Sequence, residues 1–270
     1  MSARLRFMAL FITWLGITGP ALAGMPFAAH LAVYDIKLKH AEASSGVADV
    51  SGRMVMELTG SECAGWSVGF RMVNQFADPE GDAPRLVDIQ STSWESADGL
   101  QMQFAQTERV NNQVDSDLRL SAELGNDGLR VKLASEGNVK DLPRGVIFPM
   151  AHQRRLLNAA ISGAHMDRSA VYDGSEGLKY YKAVTVIGPE IGPDAQAPAG
   201  LATLKSWPML ISYFETDSPQ EGEMLPAHQI SMRLFENGVA SDLVMDYGDL
   251  QLSGQLSELQ LHGADGDDCH

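Results

Sequence analysis

Between Tyr34 and Phe76 the chain alternates apolar and polar residues with a period of two, and glycine-containing turns interrupt the alternation. Tyr34, Ile36 and Leu38 fall on one side, Asp35, Lys37 and Lys39 on the other. Ser44, Ser45 and Gly46 form a turn before a second run at residues 54–58. Gly60-Ser61-Glu62-Cys63-Ala64-Gly65-Trp66 then leads into a third run at 68–76. Successive side chains of an extended chain point to opposite faces, so this period suits a strand with one buried face and defeats an amphipathic helix. Antiparallel hairpins are predicted here.

The habit continues along the chain. Pro79, Gly81 and Pro84 mark a surface loop, 86–94 reads as a strand, and Asp98-Gly99 turns it back into 100–110. Leu118-Arg119-Leu120 alternates again, Gly125-Asn126-Asp127-Gly128 is a tight turn, and 129–133 returns. Further runs lie at 170–172, 180–187, 207–214, 230–235, 239–247 and 249–260. Asn237-Gly238 is a hairpin signal that Glu236 lengthens, and Leu250, Leu252 and Leu256 share a face. Residues 188–200 hold three glycines and three prolines and read as an irregular loop or flap.

One segment breaks the pattern. Pro149 suits the first turn of a helix, and Met150, Leu156, Leu157, Ala160 and Ile161 recur at three- and four-residue spacing. His152, Gln153, Arg154, Arg155 and Asn158 make its polar side, and Gly163 offers a stop. About three turns of helix are expected to lay this apolar stripe on the sheet. The fold class is therefore mainly β: a large antiparallel sheet of about 13–14 strands with one principal helix. So many strands leave exposed edges unless the sheet curls, so a spiral or open barrel is expected.

The beginning of the chain reads as an export signal. Arg4 and Arg6 precede a mostly apolar run at 7–17, and Pro20 precedes Ala21-Leu22-Ala23, an A-x-A cleavage site. Residues 1–23 are expected to be removed, leaving 24–270 as a single periplasmic domain. The apolar run is shorter than the ~20 residues a membrane span needs, so no transmembrane anchor is expected.

Charge and cysteine content narrow the function. The chain carries 20 basic and 35 acidic residues. Losing Arg4 and Arg6 leaves 18 against 35, a net charge of −17, which repels phosphate backbones and argues against nucleic acid. Of two cysteines, Cys63 lies in the first hairpin region and Cys269 is second from the end. In an exported chain these are expected to form a disulfide closing the domain.

Catalytic patterns are sparse. No Gly-x-Ser-x-Gly elbow occurs, and Asp173-Gly174-Ser175-Glu176-Gly177 has the composition of a turn. The histidines at 30, 40, 152, 165, 228, 262 and 270 show no metal-binding helix spacing. His262, Asp265, Asp267, Asp268 and His270 could gather a cation but match a solvated acidic tail, and pairing with Cys269 would consume Cys63 as a nucleophile. No phosphate-cradling glycine pattern follows a strand. Neither a metal nor a cofactor is expected. Met54, Met56, Met72 and Met102 sit within strands, where methionine fills irregular cores and could also line a hollow for an acyl chain or peptide.

In order and spacing, several segments resemble the exported alphaproteobacterial family of the envelope integrity protein EipB. They are Tyr34-Asp35-Ile36-Lys37-Leu38, Ser51-Gly52-Arg53-Met54, Cys63-Ala64-Gly65-Trp66 and Phe148-Pro149-Met150-Ala151-His152. Tyr172-Asp173-Gly174-Ser175, Ser212-Tyr213-Phe214, Leu234-Phe235-Glu236-Asn237-Gly238-Val239, Asp246-Tyr247-Gly248-Asp249-Leu250 and Cys269 complete the set. The resemblance spans nearly the whole mature chain. It implies a β-spiral, a disulfide between Cys63 and Cys269, a periplasmic role in envelope integrity under stress, and no enzymatic activity. It also implies a periplasmic tetratricopeptide-repeat protein as a partner. The expected mode of action is binding of a protein partner or of a lipid or peptide ligand, with Trp66, Trp94, His152 and Trp207 as the candidate surface. The alternative is a periplasmic hydrolase or metal-dependent enzyme acting on cell-wall or lipid material through His152 or the acidic tail.

Overall fold

The structure, a computed structural model, describes residues 27–81, 83–135, 137–216 and 225–262. The first half holds β1 (His30–Ala41), β2 (Asp49–Ser61), β3 (Gly65–Ala77), β4 (Arg85–Glu95), β5 (Gln101–Val110), β6 (Gln113–Gly125), β7 (Gly128–Leu133) and β8 (Val139–Leu142). After β9 (Val146–Ile147) comes the helix α1 (Pro149–Ile161), then β10 (Met166–Val171), β11 (Tyr181–Ile187) and β12 (Ser206–Glu215). β13 (His228–Phe235), β14 (Ala240–Asp246) and β15 (Leu250–Leu261) end the described fold. Every alternating run is a strand. The two strands that the alternation did not reveal are β8 and β9, too short to show a period. The expected leader at 1–23 and Cys269 lie outside the described residues.

All 15 strands form one sheet, in the order β8 to β1 and then β15 down to β9. β1 pairs with both β2 and β15, so segments at the two ends of the fold lie side by side at the middle of the sheet. Hairpins run outward from there in both directions. They meet at β8 and β9, which adjoin in sequence and close the curl to an almost complete barrel. Among the described residues no ladder joins these two, and the seam stays unsealed. Every neighbouring pair is antiparallel except β9 and β10.

The seam is closed by side chains instead. Met102, Phe104, Leu120, Val131 and Leu142 from β5 to β8 pack with Val146, Phe148 and Tyr172 from the other side. The Tyr172 hydroxyl donates to the Gly177 carbonyl at 2.6 Å, folding the 172–177 turn onto itself. Gly174, at φ +84°, lies so close that a Cβ there would sit 2.9 Å from the Phe104 ring. A turn pressed this tightly on β5 requires glycine.

Register carries the inward face around the curl. Tyr34 stands opposite Met54, Met54 opposite Met72, and Met72 opposite Ile89. On the return arm Ile187 faces Met209, Met209 faces Met232, and Ile211 faces Ile230. Two irregularities interrupt the β1–β15 ladder, after Val33 and after Leu38, and such bulges bend a strand and increase its twist.

α1 packs against part of this inward face. Met150, Leu156, Leu157 and Ala160 join Tyr34, Met54, Trp66, Trp207 and Leu252 in the main core. Two expectations for the helix change. Ile161 is 44% exposed and lies outside the buried stripe, whereas His152, placed on the polar side, is only 4% exposed. Gly163, at φ +79°, follows the last turn as expected. The 188–200 stretch is irregular as expected, and it is held down rather than free: Leu201, which follows it, is fully buried against Phe235 and Val239, with Leu256 and Leu259 beside it.

Candidate functional site

α1 buries only part of the inward face. Leu58 and Trp66 are buried, but their inward-facing neighbours Met56, Val68, Phe70, Met72, Phe76 and Ile89 remain half-buried. This leaves an adaptable wall of methionine, phenylalanine and aliphatic side chains on β2, β3 and β4. Strand alternation sets them on one face and register brings them side by side, and methionine lets such a wall fit varied shapes.

An aromatic row stands on the return arm. Tyr213 on β12 pairs directly across from His228 on β13, with rings stacked 4.6 Å apart at an interplanar angle of 16°. Tyr181 meets both edge-on, at 6.1 Å from Tyr213 and 5.4 Å from His228. Tyr247 continues the row at 6.4 Å from His228 and is 46% exposed. Burial lowers the pKa of His228, against the opposing pull of Asp173 and Glu176, so the imidazole is neutral at pH 7. Burial also raises the Tyr213 and Tyr247 hydroxyls and lifts Tyr181 to about 12. The row joins one stacked pair to an edge-on and a tilted neighbour and carries no charge at pH 7, which suits apolar or ring-bearing ligands rather than ions.

A buried carboxylate holds the helix in place. Phe148, the residue before α1, has no side chain able to cap it, and its first turn carries no acid. Glu95, 3% exposed at the end of β4, takes that role: the Met150 amide donates to its two carboxylate oxygens at 3.1 and 3.2 Å. A carboxylate at a helix N-terminus satisfies orphan N–H groups and complements the dipole. Burial nevertheless dominates and raises its pKa to about 7, opposed by the Met150 and Ala151 amides.

The residues expected to form one surface are separated. Trp66 is 5% exposed and packs edge-on to Phe27 at 5.8 Å, and Trp207 is 2% exposed in the same core. Trp94 faces outward, because its register partners are Ser67 and Gln103. His152 is buried inside, where desolvation lowers its pKa to about 4 and Arg155 opposes Asp167. Cys63 sits in the exposed β2–β3 turn, where its amide faces the Ser61 hydroxyl at 3.4 Å.

The geometry around His152 does not assemble a nucleophile. Ser169 donates its hydroxyl to Asp167 at 2.6 Å, and Arg155 donates to the same carboxylate at 2.6 Å. A serine nucleophile needs the histidine between hydroxyl and carboxylate, so this order is unproductive. Ser175 likewise gives its hydroxyl to Asp173 at 2.8 Å, as a turn residue does. No cluster of metal-ligating side chains exists among the described residues. His262 instead lies 3.6 Å from Glu57, and the remaining members of the acidic tail fall outside the described residues. No described helix is long and apolar enough to cross a membrane. Glu95 and the aromatic row were missed from sequence, since Glu95 meets the Met150 amide 55 residues away and the rings of Tyr181, Tyr213, His228 and Tyr247 come together only in the folded sheet.

Comparison with known proteins then decides the family. The family model described as EipB-like matches residues 21–262. The chain belongs to the EipB-like family. Its similarity to the cell envelope integrity protein EipB of Brucella abortus (strain 2308) is 32% identity over 264 residues, covering 94% of this chain and 92% of that protein. A crystal structure from Brucella abortus, of a beta-barrel-like protein of domain of unknown function DUF1849, superposes with a TM-score of 0.83 at 31% identity. The match covers 88% of this chain and all of that one. The nearly closed barrel of this EipB-like chain is thus shared with that beta-barrel-like protein.

Proposed function

We propose that this EipB-like protein is a periplasmic factor for envelope integrity that acts by binding, with residues 1–23 removed on export and Cys63 joined to Cys269. The similarity to an envelope integrity protein supports the role. The observation that carries the binding mode is the half-buried wall of Met56, Phe70, Met72 and Ile89, on the same inward face as the neutral Tyr213–His228–Tyr247 row. An acyl chain or apolar peptide laid there would bury surface that the protein leaves wet. A periplasmic tetratricopeptide-repeat partner is compatible with this reading, acting from outside the curl.

Native mass spectrometry of the protein purified from its own periplasm tests it. A retained acyl or peptide adduct is expected, and Phe70→Asp should remove it by placing a charge on the wall. A ligand-free protein that co-purifies with another protein would replace carriage with an adaptor role. A bound metal would return the hydrolase reading.

A further inference from the structure

A second concavity lies on the opposite face of the sheet, across β3 to β6. It encloses about 510 Å³. Its floor follows from register: Gly69 stands beside Thr92, Thr92 beside Ala105, and Ala105 beside Arg119. Three small side chains in a row across three strands cut a trough through the outer surface. In the next row Ser67, Trp94 and Gln103 stand side by side and form a wall. With strands ~4.8 Å apart, the trough from Gly69 to Arg119 is ~14 Å long.

We propose that this trough binds a short oligosaccharide bearing a single acidic group. Trp94 offers an apolar ring face at the edge of a shallow channel, where a sugar ring can stack its C–H face. Thr92 on the floor and Ser67 and Gln103 on the wall supply hydroxyl and amide groups, matching the donors and acceptors of a sugar. Among the described residues, Arg119 is the one charged residue lining the trough. Its exposed partner Asp117 is 3.4 Å away, a surface contact that an incoming carboxylate can replace. The surrounding protein has a formal net charge of −15, so a polyanion would be repelled while one carboxylate against one guanidinium is accommodated. An extended peptide gains affinity from backbone bonds at a free sheet edge, and this trough runs across paired strands with none to offer.

The test is a titration of the full mature chain, labelled with nitrogen-15, followed by amide correlation spectra. Glucuronosyl-xylobiose is the acidic probe, xylotriose its neutral match, and a hexapeptide with one glutamate the peptide control. The acidic trisaccharide is expected to shift the Trp94 indole and the Gly69, Thr92 and Ala105 amides saturably. Trp94→Ala should weaken that binding about tenfold with an unchanged thermal midpoint, and Arg119→Gln should bring the acidic and neutral sugars to equal affinity. Absence of saturable shifts would overturn the proposal, as would undiminished binding by Trp94→Ala or tighter binding of the peptide. Shifts confined to Phe70, Met72 and their inward neighbours would also overturn it while leaving the binding role of the inward face standing.

Discussion

Glu95 and His152 are buried on opposite sides of a proton balance. Glu95 has its pKa raised by burial from 4.5 to about 7, so between those values the folded state holds a proton that the unfolded state has released. Its contribution to stability is complete below pH 4.5 and is lost as pH rises through 7. His152 is lowered from 6.5 to about 4, so its contribution is present above 6.5 and lost as pH falls toward 4. The two trends oppose one another across the same window. Glu95→Gln keeps an acceptor for the Met150 amide but does not titrate. It should match the parent near pH 4.5 and exceed it by about 3 kcal/mol near pH 7.5, read from urea midpoints at several pH values. Equal midpoints throughout would mean that Glu95 is ionised at little cost in the fold.

The 188–205 segment shows how a stretch rich in glycine and proline becomes an ordered part of the fold. Arg233 on β13 donates to the Ser206 hydroxyl at 2.8 Å and to Asp194 at 3.0 Å, with its guanidinium 5.0 Å over the Phe235 ring. One side chain thereby ties the strand, the start of β12 and the loop together. Arg233→Ala should speed amide exchange across 191–204 by about tenfold, roughly one part-buried hydrogen bond's worth, with β1–β6 unaffected. Composition alone read 188–200 as an irregular loop or flap, because glycine and proline mark irregular backbone without saying what it packs on. Leu201 carried no periodic signal, yet it is wholly buried. The helix was more legible: Pro149 and the Met150-Leu156-Leu157-Ala160 spacing located it, while the burial of His152 depended on a neighbouring sheet.

For the molecule as a whole, closure depends on what joins the distant parts of the chain. The β1–β15 ladder already brings His30 beside Leu261. A Cys63–Cys269 bridge would add a covalent loop of 206 residues, worth ~5 kcal/mol by restriction of the unfolded chain. Cys63→Ser and Cys269→Ser should then lower the thermal midpoint equally, and the double variant should lose little more. Additive losses would show two independent thiols. The alternation between Tyr34 and Phe76 was enough to specify strands and to sort their side chains onto two faces, since that depends on residues within a few positions of each other, and the number of such runs along the chain called for a curled sheet. The seam at β8 and β9, the pairing of β1 with β15 and the separation of Trp66 and Trp207 from Trp94 were not readable in that way. Neither was the capping of α1 by a carboxylate 55 residues away. Each of these depends on which strands meet once the sheet has closed, and local periodicity records the face a side chain points to but not the partner it finds there.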